Sequence, residues 1–125
     1  MGTGTLPKPL IWMGSSKKDL KVLPRQVVKL FGFALYEAQA GRRHGQTKVL
    51  RGFGDASVLE VIESTNRSTY RAVYTVRFID AVYVLHVFQK KSKSGVATPK
   101  PDLDLIEERL KQAAALSRKH GRGAL

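Results

Sequence analysis

The sequence predicts an α+β domain in which helices pack on one face of a small antiparallel sheet, in the order β-α-α-β-β-β-α. Three observations carry this. Apolar residues recur at helical spacing across 27–38, strand-like runs separated by polar turns fill 57–90, and a helical stripe returns after 101. At 125 residues the chain is expected to build one core and one domain over 10–120, with a flexible tail at 1–9 and a short one at 121–125.

The elements follow in order. "PLIWMG" reads as a first strand ending at Gly14. Ser16 with Asp19 three residues later has the pattern of a helix cap, so a short helix is expected through about Val22. Pro24 suits the first turn of a second helix, where its missing N–H costs little. Val27, Val28, Leu30, Phe31, Ala34, Leu35 and Ala38 give that helix its apolar face, and Gly41 is placed to end it in a left-handed cap. "GRRHGQTK" is a basic loop, and "VLRGFGDA" a turn with little regular structure.

"SVLEVIES" opens the meander. "TYRAVYTVRF" alternates, with Tyr70, Ala72, Tyr74, Val76 and Phe78 on one side and Arg71, Val73, Thr75 and Arg77 on the other. "AVYVLHVFQK" is almost wholly apolar, as a central strand covered on both sides should be. The last helix begins near Pro101, with acids in its first turns and bases near its end, as the helix dipole prefers. The sheet face away from the helices is expected to be partly open, with Arg71 and Arg77 directed into it.

Charge narrows the function. Twenty-two Lys plus Arg face ten Asp plus Glu, a net of +12. So large an excess in a small domain points to an anionic partner, nucleic acid first. There is no cysteine, which excludes disulfides, thiolate metal sites and a Cys nucleophile. His44, His86 and His120 match no metal-ligand spacing, so no metal and no cofactor are expected. No P-loop or GxSxG is present. Glu60 and Glu63, three apart on a strand, face opposite sides and do not make a paired-carboxylate site. No run approaches the roughly 20 apolar residues of a membrane helix, and a cytoplasmic protein is expected.

What remains is a set of cations. Lys48 and Arg51 flank the glycine turn, Arg71 sits inside a strand, and Lys90, Lys91 and Lys93 close the final strand. In a meander these segments can converge on one face. Convergent cations suit phosphodiester chemistry, in which a ribose 2′-hydroxyl attacks phosphorus and charge grows on the phosphoryl oxygens. A lysine crowded by other cations can also transfer a proton. Each cation has a plainer reading: Arg71 as a cross-strand partner of Glu60 only, and Lys90 and Lys91 as charges that only blunt a sheet edge. His86, in an apolar strand, reads as a hydrogen-bonded core histidine. Arg42 and Arg43 read as contacts to phosphate backbone.

"VLRGFG", "VLEVIES", "TYRAVYTVRFIDAVYVLHVFQKKSKSG" and "TPKPDLDLIEERL" together resemble the phage-derived, HigB-like branch of the RelE/HigB toxin superfamily. The resemblance covers about residues 8–118. It implies a RelE-like fold and the toxin of a type II toxin–antitoxin system, an endoribonuclease that needs no metal and cleaves mRNA on the ribosome. It also implies neutralisation by a helix-turn-helix, HigA-like antitoxin, with DNA contacted only through that complex. The family's strand arginine falls on Arg71, its basic loop on Lys48 and Arg51, and its strand-end cluster on Lys90, Lys91 and Lys93. The catalytic set is then Arg71, Lys91, Lys90 and Lys48, with Arg51, Lys93, Arg42, Arg43 and Arg77 holding RNA. RelE proteins also use a tyrosine near the C-terminus, whereas no tyrosine follows Lys93 here. Either a lysine supplies proton transfer, or the ribosome contributes more, or this member is weak. Two alternatives stay open: a non-catalytic module that binds ribosomal RNA, and a ParE-like inhibitor of DNA gyrase. Arg71→Ala is expected to abolish growth arrest while leaving the fold intact.

Overall fold

The computed structural model of the protein describes residues 6–65, 68–90 and 97–123. Along the chain lie β1 (Leu10–Trp12), α1 (Ser16–Lys21), α2 (Arg25–Gln39), β2 (Thr47–Val49), β3 (Val58–Ser64), β4 (Thr69–Thr75), β5 (Val82–Lys90) and α3 (Lys100–Gly123). The fold is α+β, and its five strands form one sheet in the order β1-β5-β4-β3-β2. The meander of β3, β4 and β5 is antiparallel, as the alternation predicts. Two features differ from the sequence expectation. β1 pairs parallel to β5, so the sheet is mixed, and β2 adds a strand inside the stretch read as a basic loop. Both cover edges that the meander would otherwise leave unpaired.

Alternation along the strands sorts the core into two layers. Leu59, Val61, Ala72, Tyr74, Val82 and Val84 pack with Leu20 of α1 and with Val27, Phe31, Ala34 and Leu35 of α2. Val58, Val73, Tyr83 and Leu85 pack with Ile106, Leu110 and Ala113 of α3. The expected open face is therefore covered by α3, whose apolar stripe needs a sheet to bury it. The register between β4 and β5 slips after Val73, which faces His86, because the next pair is Tyr74 with Val84. Leu85 is the extra residue of a bulge. It lets Leu85 join the α3 layer while the adjacent His86 also meets α3, its Nε2 lying 2.7 Å from Asp102 Oδ1. His86 is the hydrogen-bonded core histidine the sequence predicts, and Phe88 stacks on its ring at 4.6 Å.

Helix ends follow local chemistry. The cap of α1 is Ser15 rather than Ser16: its carbonyl accepts from Asp19 N–H and its hydroxyl donates to the Asp19 carboxylate. Ser16 is instead buried, its hydroxyl directed at the Val84 carbonyl. Pro24 occupies the cap position of α2, one residue before its first turn. At the other end Gly41 has φ 81°, its N–H donates to Ala38 O, and Arg42 N–H donates to Glu37 O. Those two bonds close the helix as a Schellman motif.

Three polar clasps hold α3 and the loops. Arg109 donates to the Leu85 carbonyl and lies against Gly14, where a Cβ would come within 2.6 Å of the guanidinium. Arg77, just past β4, donates to Phe53 O, Asp55 and Ser57 and so fastens the glycine turn. Hydrogen bonds from Ser57, with Arg77 adding to them, hold the Asp55 carboxyl down to about 2. In the β4–β5 turn, Asp80 accepts from Tyr83 Oη at 2.6 Å and Ser117 Oγ at 2.7 Å, with His120 Nδ1 at 2.9 Å.

Burial opposes ionisation of Asp80, but these hydrogen bonds outweigh it and keep its carboxyl below the ordinary carboxylate range. A carboxyl lowered in the folded state contributes stability that is complete above its unfolded value and is lost as pH falls through the folded one. Thermal melts of Asp80→Asn should therefore lose part of the acid-side fall in stability that the wild type shows. Asp80→Ala should cost about 1–3 kcal/mol by stripping the buried Tyr83 hydroxyl of its acceptor.

Candidate nucleic-acid site

The register fixes where the charged strand residues point. Lys48 lies directly opposite Glu60, Glu60 opposite Val73, and Arg71 opposite Phe88. Residues paired across antiparallel strands share a face, so Lys48, Glu60 and Arg71 all belong to the α3 side of the sheet. Lys90, opposite Thr69 and two residues past Phe88, belongs there too. α3 covers the part of this face around Val73 and Tyr83. Beside its first turns a groove of about 630 Å³ remains, reaching from the β2 edge to the chain that leads into α3.

The floor of the groove is a buried polar triad. Arg71 Nη1 donates to Glu60 Oε2 at 3.1 Å and to Thr98 Oγ1 at 3.3 Å, while Thr98 Oγ1 donates to Glu60 Oε2 at 2.8 Å. The two charged side chains are 1% and 0% exposed. The strand-interior arginine thus has the cross-strand carboxylate that its sequence position suggests. The pair is diagonal, since Arg71 faces Ile62 and Glu60 faces Val73. A buried ion pair with a third group bonded to it is rigid, and loss of either charge strands the other. Glu60 Oε1 has no hydrogen-bond partner among the described residues. It is a buried acceptor at the groove, with Lys48 across the strand pair.

The walls carry exposed cations. Lys48 and Arg51 line the groove on one side, together with Arg43, whose Nη2 donates to Thr47 O at 3.3 Å. Val49, Leu50 and Leu103 supply apolar surface between them. Ala97 and Thr98 close the opposite side, and Lys90 Nζ donates to the Ala97 carbonyl at 3.0 Å, placing that ammonium at the rim. The floor pair is close to neutral, so the net positive charge comes from the walls.

Of the residues singled out in the sequence, the groove brings together Lys48, Arg51, Arg43 and Arg71, with Lys90 beside it. Arg42 and Arg77 do not line it. Arg42 forks onto Glu37 with its nearest contact at 2.8 Å, and Arg77 is engaged by the 53–57 loop. Lys91 and Lys93 lie outside the described residues. Sequence reasoning gave Glu60 only the part of a partner and overlooked Thr98. Glu60 was visible as a second strand-interior charge one hairpin away from Arg71. Thr98 had no signal, because its role depends on where the chain returns after β5.

The arrangement can hold a phosphodiester: exposed guanidinium and ammonium groups meet its oxygens, and a buried guanidinium and carboxylate lie beneath. Among the described residues no helix is long and apolar enough to cross a membrane. No curated protein matches the chain closely. A family model described as phage-derived protein Gp49-like matches residues 18–111, which takes in both α2 and the whole meander, with the groove's charged residues on β2, β3 and β4. The chain therefore belongs to the phage-derived Gp49-like family, a family associated with the toxins of toxin–antitoxin systems.

Proposed function

We propose that the protein is the toxin of a type II toxin–antitoxin pair and that it acts as an endoribonuclease on mRNA at the ribosome, in the cytoplasm. The reading rests on one observation: Lys48 and Arg51, from β2 and the turn after it, and Arg71, from β4, line one groove. In this mechanism the 2′-hydroxyl attacks the adjacent phosphorus. The new P–O2′ bond forms, the P–O5′ bond breaks, and the products are a 2′,3′-cyclic phosphate and a 5′-hydroxyl. The 2′-hydroxyl proton goes to a base and O5′ receives one from an acid. Arg71 and Lys48 stabilise the charge that grows on the phosphoryl oxygens. Lys48, Lys90 and Glu60 Oε1, which has no hydrogen-bond partner among the described residues, are the candidates for proton transfer. Arg43 and Arg51 hold the RNA backbone. Lys91 and Lys93 are assigned to the same cluster from the family resemblance. The neutralising partner would be a helix-turn-helix, HigA-like antitoxin, and DNA would be met only through that complex.

Mapping RNA ends after induced expression tests this. New 5′-hydroxyl ends inside reading frames are expected. Intact but stalled messages would replace cleavage with ribosome binding, and a DNA-damage response without RNA cleavage would point to gyrase.

A further inference from the structure

The outer face of α2 carries a feature that the groove does not use. Phe33 and Tyr36 are 54% and 51% exposed on one stripe of a helix whose opposite face fills the core. Beside them is Gly32, in the middle of the helix and exposed, where an added Cβ would meet nothing within 4 Å. A mid-helix glycine is costly, and none of the described residues comes close enough to require one here. A glycine flanked by two exposed aromatic residues suits close approach of another helix, which packs its ridge into the gap. Arg25 and Lys29 continue the Phe33 ridge toward the helix start, and Lys17, Lys18 and Lys21 are exposed on α1 just before it. The only acids in these two helices are Asp19, bonded to Ser15, and Glu37, bonded to Arg42.

We infer that this face docks an acidic amphipathic helix of the neutralising antitoxin, an inference that rests on the toxin–antitoxin reading above. The partner's apolar ridge would sit on Gly32 between Phe33 and Tyr36, and its carboxylates would meet Arg25 and Lys29. Single-stranded RNA fits this face less well. The shallow gap at Gly32 on a convex helix suits a helix ridge rather than flat bases, and one edge of the Phe33 ring is already taken by His44 at 5.5 Å. α2 and the cationic groove lie on opposite faces of the sheet, so a partner docked here leaves Lys48, Arg51 and Arg71 uncovered.

The test uses the full chain and the protein of its own genome that relieves its growth arrest on co-expression, each purified, with affinity measured by calorimetry. Gly32→Leu should raise the melting temperature of the free chain while weakening the complex at least 30-fold. Lys29→Glu with Phe33→Ala should weaken it at least 100-fold, and Lys48→Ala should leave it unchanged. Equal affinity for wild type and both α2 variants would overturn the inference. So would tight binding that only the Lys48 variant loses, or no binding by the wild type. RNA cleavage is scored separately on the free chain: an inactive chain that still binds through α2 removes the nuclease reading and keeps the docking face.

Discussion

Arg71→Ala is expected to lower folding stability by about 3–5 kcal/mol, because it leaves Glu60 as an uncompensated buried charge. The chain should lose much of its stability margin, since small domains have only about 5–15 kcal/mol in total. Loss of growth arrest in this variant would then report unfolding as much as chemistry. The double variant Arg71→Met with Glu60→Leu separates the two. Removing both charges with apolar side chains of similar bulk should recover most of the stability, since a buried pair is worth little net against good packing. On the proposed mechanism toxicity should not return, because the guanidinium beneath the groove is gone. Urea denaturation of wild type, single and double variants checks the first statement, and growth on induction the second. A single variant as stable as wild type would mean that the triad is not the buried, mutually dependent unit described.

Lys48→Ala is the cleaner functional variant. Lys48 is exposed and makes no ion pair among the described residues, so stability should move by less than about 0.5 kcal/mol. Cleavage of ribosome-bound message should fall about 10²–10³-fold in kcat, the scale set by removing one preorganised donor from a developing oxyanion. Single-turnover cleavage measured beside a thermal melt reads both at once. Unchanged cleavage by a folded Lys48→Ala protein would remove Lys48 from the mechanism. A rise in KM alone would reduce its role to holding RNA.

Much of this architecture is legible before any coordinates. The alternation in 69–75 and the apolar run in 82–90 fix the meander, because a period of two sorts side chains to opposite faces. The stripe from Val27 to Ala38 fixes α2, and Gly41 its end. The long-range partners are less legible. β2 is three residues long, too short to show a period, and exists because β3 offers it an edge. The placement of α3 on the second face escaped because an apolar stripe says that a helix packs, not against which layer.

The site divides along the same line. Arg71 and Lys48 stand out as cations on or beside strands, and the register that puts them on one face follows from the meander plus β2. The burial of Arg71 was less visible, since the sequence reading left its face open to solvent. α3 and Thr98 close it. Arg77 and Arg42 show the converse: on charge alone they resemble RNA contacts, yet Asp55 and Glu37 lie within reach and engage them.

In the proposed mechanism the groove grips RNA phosphates through Lys48 and Arg51. The most direct check is the salt dependence of binding to a short single-stranded RNA, for wild type and for Lys48→Ala with Arg51→Ala. Each phosphate contact on a single strand contributes about −0.7 to the slope of log affinity against log salt, so losing two should flatten it by about 1.4. A double variant that is folded and keeps the wild-type slope would contradict the account.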